Sequence, residues 1–309
     1  MESHIKKSYW ALHAAVFLFG FTGILGRLIS LDSEMLVWHR MWMTAIMMGI
    51  FVVLSGKMKR LPIKAILHIA AISITIALHW VLFYASIKFA SVSIAMVCLS
   101  SIALFTALLE PIILKQKFES VQIFFSLLVI IGVYLMAKGQ EEQIVGIVIG
   151  LVSSFFSALF TVLNKTIIHK YDSRLLSFYE IGSGFLFLTL LLPVINLASP
   201  IGAIVPSSND WLYLFILSFF CTVVAFNLSL SSLRFLSPFT VNLAINLEPV
   251  YGIILAFIVF KEYELLGTGF YIGSVVILVS VLGETLWKRY KNRNLSVPGV
   301  VTNTKKDTI

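Results

Sequence analysis

The sequence predicts an all-α, polytopic membrane protein: ten transmembrane helices arranged as two inverted five-helix repeats. Three observations predict it. Of its 309 residues, 59% are hydrophobic and only 12% charged, with a mean hydropathy of +0.97, whereas soluble domains carry about 25% charged residues. Apolar runs near the ~20 residues that a helix needs to cross a bilayer recur along the whole chain. Finally, short segments of the first half return in the same order in the second.

Taken in order, the apolar runs place helices at about 9–30, 34–55, 65–87, 92–114, 119–137, 144–164, 174–195, 210–233, 239–260 and 265–287. The first run is longer than the ~7–15 residues of a signal-peptide core and lacks a cleavage site, so it is kept as a span. With the N-terminus in the cytoplasm, Arg27, Lys88, Lys138 and Lys261 fall on the far side and Arg40 falls within the second helix. The other 18 of 23 Lys and Arg residues fall on the cytoplasmic side, as positive-inside orientation requires. This places the chain in the cell (inner) membrane with both termini cytoplasmic. The net charge of +8 lies in short clusters between spans rather than on one face, which points to a lipid bilayer as partner and away from nucleic acid. Cys98 and Cys221 both lie inside spans and read as small buried hydrophobes.

The organisation follows: a cytoplasmic N-terminus at 1–8, a first five-helix repeat at 9–137, a second at 144–287, and a basic, polar cytoplasmic tail at 288–309. The connection at 196–209, with Pro200, Gly202 and Pro206, reads as a linker. FTGILGRLI from Phe21 aligns with FTVLNKTII from Phe160, and SEMLVWHR from Ser33 with SRLLSFYE from Ser173. Lys88-Phe89-Ala90-Ser91 aligns with Arg234-Phe235-Leu236-Ser237, and Lys117-Phe118-Glu119 with Glu262-Tyr263-Glu264. A repeat of five helices is odd, so the second copy enters the membrane from the opposite side.

The duplication, Ser237-Pro238 before the ninth helix, Pro249 within it, and Glu262, Gly267 and Gly273 after it carry a resemblance. Over about residues 9–287 the chain resembles the ten-helix EamA-type branch of the drug/metabolite transporter superfamily. The resemblance implies a helical bundle around a central cavity and the export or uptake of small organic metabolites. The first copy departs from the second in having Ala103 or Leu104 where the second has Pro249; its own Glu110-Pro111 falls later.

Candidate site residues cluster around the ninth helix. Glu248 lies about 13 Å into a core of about 30 Å, where an ionisable group points to a functional site, the alternative being a structural hydrogen-bonding group with Pro249 as a kink. Pro249 removes a donor from the helical ladder beside it, and Pro249 and Pro238 are the candidate hinges. Asn242 and Asn246 share one face, Glu248 and Tyr251 another; each asparagine reads equally as a solute contact or as interhelical glue. In the second helix Trp38, His39, Arg40 and Trp42 enter together. Arg40 either offers its planar donor fork to a solute carboxylate or snorkels to the interface. Glu180 is its repeat counterpart and has a gating or polar role in the other half of the bilayer. His79, Trp80, Phe83 and Tyr84 form an aromatic wall, with His79 open to proton handling or a structural hydrogen bond. Glu110, Glu284, His13 and His68 lie near helix ends, where interfacial solvation accounts for them.

These features and the resemblance imply a secondary transporter that moves small organic metabolites, amino acids or similar zwitterions, by alternating access towards export; Glu248 is the candidate for coupling to protons, and a facilitator fits as well. No cofactor or metal is implied. The chain has no G-x-x-x-x-G-K-[ST] loop for nucleotide. The alternatives are an intramembrane enzyme, for which Ser183 between Gly182 and Gly184 lacks an identifiable base, and a channel or receptor, for which inverted symmetry has no use.

Overall fold

A computed structural model describes residues 2–115, 117, 120–138, 140–168, 170–198, 200–232, 235, 236, 244, 245 and 247–295. Among them the protein is all-helical. Its helices are α1 (Glu2–Leu28), α2 (Ser33–Leu54), α3 (Ile63–Phe89), α4 (Val92–Leu99), α5 (Ile102–Leu114), α6 (Ser120–Ala137), α7 (Ile144–Lys165), α8 (Ser173–Ala198), α9 (Ser208–Ser218), α10 (Ala225–Ser232), α11 (Glu248–Phe260) and α12 (Thr268–Leu295). A π-helical turn, Phe219–Val224, joins α9 to α10. Among the described residues, seven helical stretches are long and apolar enough to cross a membrane, and three further apolar helices, Phe124–Ala137, Glu248–Phe260 and Thr268–Ser280, are shorter. Large apolar side chains such as Leu190, Leu197 and Ile258 face outward, as a bundle solvated by lipid tails requires. The protein is therefore a multi-pass membrane protein.

Three expected spans are interrupted. The fourth breaks into α4 and α5 at Ser100–Ser101, with neither glycine nor proline at the break. There the amide of Ser101 donates to the Cys98 carbonyl at 2.9 Å, a tightened turn that ends the ladder, and Ser154 of α7 donates its hydroxyl to the same carbonyl at 2.8 Å. A neighbouring helix thus satisfies a backbone group that the break disturbs. The eighth span carries the π turn, where Thr222 Oγ1 donates to the Leu217 carbonyl five residues back at 2.9 Å. In the ninth, α11 begins at Glu248, so Pro249 occupies the first turn of a helix, where its missing N–H and fixed φ cost nothing. Pro249 thus stands in the first turn of α11 and not in a helix interior, with Leu247 before it as the N-cap.

α5 and α11 are each 13 residues long, and each closes on a lysine in the left-handed region, Lys115 at φ 54° and Lys261 at φ 53°. The register that aligns Lys88–Ser91 with Arg234–Ser237 brings these two helices into end-to-end correspondence. Packing follows the same duplication. α7 packs on α3, and α1 on α10 and the π turn; α2 packs on α8, α4 on α11, and α6 on α12. The last contact is a close backbone approach, since a Cβ at Gly132 would lie 2.9 Å from the Gly273 carbonyl and 2.5 Å from Ile277 Cγ1.

The bundle has two distinct ends. At one, Asp210 ties α9 to the α1–α2 turn: its Oδ1 accepts from the Ser30 amide at 2.8 Å and its Oδ2 from the Ser30 hydroxyl at 2.6 Å. The same carboxylate completes a capping box with Ser207. The 196–209 connection is anchored here, with the Gly202 amide donating to Asp32 at 2.7 Å. Glu262 also acts at this end, accepting from the amides of Val92 at 3.0 Å and Ser93 at 2.8 Å while Ser91 Oγ takes that of Ile94. The second half of the chain thereby caps a helix of the first. Fully buried Ile29, Leu31, Leu36, Ile87 and Val92 fill the interior. At the other end, Ser232 donates to the Ser8 carbonyl and Lys165 pairs with Glu110.

Candidate functional site

A cavity of about 410 Å³ occupies the bundle interior, within the range of sites for small molecules. Its lining runs from Arg40, Trp80, Thr222 and Glu248 to Glu110, Asn164 and Lys165 at the far end. Arg40 is buried at the end nearer Asp210, whereas Lys165 and Glu110 at the far end are part-exposed.

Arg40 projects from the third turn of α2 and is 3% exposed, so it turns into the bundle and does not snorkel. Its Nε donates to Thr222 Oγ1 at 3.0 Å and one terminal nitrogen donates to Tyr84 Oη at 2.9 Å. Its guanidinium carbon sits 3.8 Å above the centre of the Trp80 ring, a stacking geometry that favours the cation. The π turn is what presents Thr222: Oγ1 gives its proton to Leu217 and has a lone pair left for Arg40. A guanidinium has five N–H donors in a rigid fork, and the two bonds to Thr222 and Tyr84 leave the others for whatever enters the cavity.

Glu248, the first residue of α11, lines the same cavity within electrostatic reach of Arg40. Cavity-facing Trp80, Phe83, Phe160 and Phe226 supply apolar walls. His79 Nδ1 lies 3.0 Å from the Ser153 carbonyl and 2.9 Å from its Oγ, while Ser153 Oγ donates to the His79 carbonyl at 2.8 Å. With the serine proton so used, Nδ1 carries the imidazole proton and Nε2 is the acceptor. Tyr84 is fully buried behind Arg40.

Other residues singled out by sequence lie elsewhere. His39 Nε2 is 3.0 Å from the Ile204 carbonyl, its Nδ1 accepts from Trp42 Nε1 at 3.1 Å, and its ring packs edge-on to Trp211. His39 and Trp42 thus support the Asp210-end connection and do not line the cavity. Tyr251 packs against Phe17 of α1. Glu180 is completely buried in α8 beside Asn164. Pro238, Asn242 and Asn246 lie outside the described residues. Glu110, expected to be an interfacial group, instead lines the cavity and pairs with Lys165; the pair neutralises two charges at the cavity's end. Sequence reasoning missed Thr222, Asn164 and Lys165. The signal for the last two was the helix-6 repeat itself, where Asn164 and Lys165 stand opposite Leu25 and Gly26 of helix 1.

The comparisons with known proteins agree with this architecture. Over 295 residues the chain is 24% identical to an uncharacterized transporter, YxxF, of Bacillus subtilis (strain 168), covering 91% of this chain and 90% of that one. A crystal structure covering 92% of this chain and 99% of its own superposes with a TM-score of 0.64 at 12% identity, a likeness of fold alone. The model of the EamA-like transporter family matches twice, at residues 6–138 and 144–284, the two segments that the internal repeats delimit. The chain, a membrane transporter, belongs to the EamA-like transporter family.

Proposed function

We propose that the protein is a secondary transporter whose ten transmembrane helices form two inverted repeats, and that it exports amino acids or similar zwitterionic metabolites by alternating access. The observation that carries this reading is the pairing of Arg40 and Glu248 on one cavity. Arg40 meets a solute carboxylate with its unused donors, Glu248 accepts from a solute amine, and Trp80 and Phe83 pack the side chain between them. The matched breaks before α5 and α11 support the inverted repeat, because half-helices at the middle of a membrane are where such transporters hold solutes. Alternating access then exchanges the closed Asp210 end with the Lys165 end. Excess positive charge at the Lys165 end supports placing that end and both termini in the cytoplasm of the inner membrane, so that the cavity described here faces inward, loaded for export.

The test is exchange from proteoliposomes. Purified protein is reconstituted with a mixed load of amino acids and related metabolites, and mass spectrometry follows what leaves, with and without a pH gradient. Release of intact zwitterions supports the reading. Chemical alteration of the load overturns it in favour of an enzyme, and unsaturable leakage of all solutes in favour of a channel.

A further inference from the structure

Glu180 is 0% exposed, and neither of its carboxyl oxygens has a hydrogen-bond partner; nor has the Oδ1 atom of Asn164. Asn164 is a polar side chain within interaction range of it, although no hydrogen bond joins the two. Both carboxyl oxygens thus lie in the bundle interior without a bound donor, with the Asn164 carboxamide as their polar neighbour. An ionised carboxylate left so costs several kcal/mol within a membrane. One proton removes the problem: the neutral acid carries the missing O–H and donates it to Asn164 Oδ1.

We propose that Glu180 is the proton-binding site of this transporter, loaded and unloaded past Asn164 and distinct from the Arg40–Glu248 pair that meets the solute. The inference rests on the transport reading and deepens it. Asn164 belongs to both places, since it lines the cavity and neighbours Glu180. Rotation of its carboxamide connects cavity water to the acid. The proton adds to a carboxylate oxygen and leaves from it again, with no other bond made or broken.

The charged and titratable groups on the surrounding helices are engaged elsewhere. On α2, Arg40 is held by Thr222 and Tyr84, and His39 by Ile204. On α3, His79 is held by Ser153, while Lys64 and His68 are exposed. On α7, Lys165 is paired with Glu110. On α8 itself, Arg174 lies over the Phe51 ring and Tyr179 donates to the Lys59 carbonyl. α10 carries no titratable side chain. With no cation to compensate it, Glu180 releases its proton only when α8 moves against α2 and α3 and admits water, which links the proton to the change of state.

Infrared spectroscopy of the purified full-length protein in lipid nanodiscs at about pH 7 tests this directly. The carbonyl stretch of a buried, protonated carboxyl, sensitive to deuterium exchange, is expected in the native protein, lost in Glu180→Gln and kept in Glu180→Asp. A spectrum unchanged by Glu180→Gln overturns the proposal. In proteoliposomes, with the compound found to exchange, Glu180→Gln is expected to cut accumulation driven by a pH gradient by about tenfold or more while equilibrium exchange stays within about twofold. Glu180→Asp is expected to restore the gradient response. Accumulation by Glu180→Gln that still follows the pH gradient, or native accumulation that follows a sodium gradient instead, overturns the proposal. The infrared arm needs no solute, so its failure is the failure of this inference alone. Native protein that moves no solute overturns the transport reading and the coupling role with it.

Discussion

Arg40→Lys is the sharpest test of how the cavity reads a carboxylate. The substitution keeps the charge and removes the fork. In the native protein Nε and one terminal nitrogen are committed to Thr222 and Tyr84 at 3.0 and 2.9 Å, which fixes the plane of the guanidinium over Trp80 and aims its remaining donors at the cavity. A lysine ammonium has three donors on a flexible stem and offers no two parallel N–H groups. Losing part of a buried, hydrogen-bonded charge pair costs about 2–5 kcal/mol, and retention of the charge places Lys near the lower limit. The expected outcome is a rise of about 30- to 150-fold in KM for a carboxylate-bearing solute, at 1.4 kcal/mol per decade. The assay is saturation of exchange in proteoliposomes, run in parallel with the decarboxylated amine of the same solute, whose KM is expected to stay within about twofold because the lost fork had nothing to grip. Tyr84 also loses its partner, at about 1–3 kcal/mol of stability, so the thermal midpoint is followed to separate folding from binding. An equal rise in KM for both solutes, or no rise for either, refutes the reasoning.

The remaining predictions probe the other face of the site and the supports of the fold. Glu248→Gln keeps the size and the helix start, so the protein is expected to remain folded by size-exclusion chromatography. Exchange of amine-bearing solutes is expected to fall by about tenfold or more for want of a charge-assisted acceptor. Glu262→Gln leaves one acceptor oxygen for the amides of Val92 and Ser93 and removes the negative charge from a helix start; a loss of about 1–3 kcal/mol is expected, read as a lowered thermal midpoint. Gly132→Val forces side-chain atoms into the Gly273 carbonyl and Ile277, separating α6 from α12, so the yield of monodisperse protein is expected to collapse.

The spans were legible in the sequence because a membrane imposes a composition that persists over ~20 residues. The interruptions were not, because tertiary partners set them. Nothing local in Leu99-Ser100-Ser101-Ile102 breaks a helix; Ser154, reaching from α7, supports the break. The π turn at Phe219–Val224 likewise gains its purpose from Arg40, 182 residues away in sequence. The repeat held an unused clue, since Ser101 aligns with Leu247, so the start of a helix at Glu248-Pro249 predicts one at Ile102. Grouping His39, Arg40 and Trp42 as one site failed for a simpler reason. Each step along a helix turns the side chain by about 100°, so Arg40 enters the cavity while His39 meets the connection at Ile204. The chemically informative pairs came together between different helices, as Arg40 with Thr222 and Glu180 with Asn164 did, and no single helix contains them.

Arg40 and Glu180 occupy equivalent positions on α2 and α8, and their surroundings differ in the way the proposed cycle requires. Arg40 faces the cavity with partners to hold it, whereas Glu180 is enclosed with no donor. Under alternating access by inverted repeats, the opposite state gives each half the environment of the other. Glu180 then faces an open cavity and Arg40 a closed wall. A carboxylate gains from that exchange because water can solvate its charge. Arg40 already has Trp80, Tyr84 and Thr222 as partners here. On the proposed cycle, the asymmetry of the two positions makes the state opposite to this one the state in which Glu180 can exchange a proton. Solute binding at Arg40 belongs, on the same proposal, to the state described here, so the two events fall in different states of the cycle.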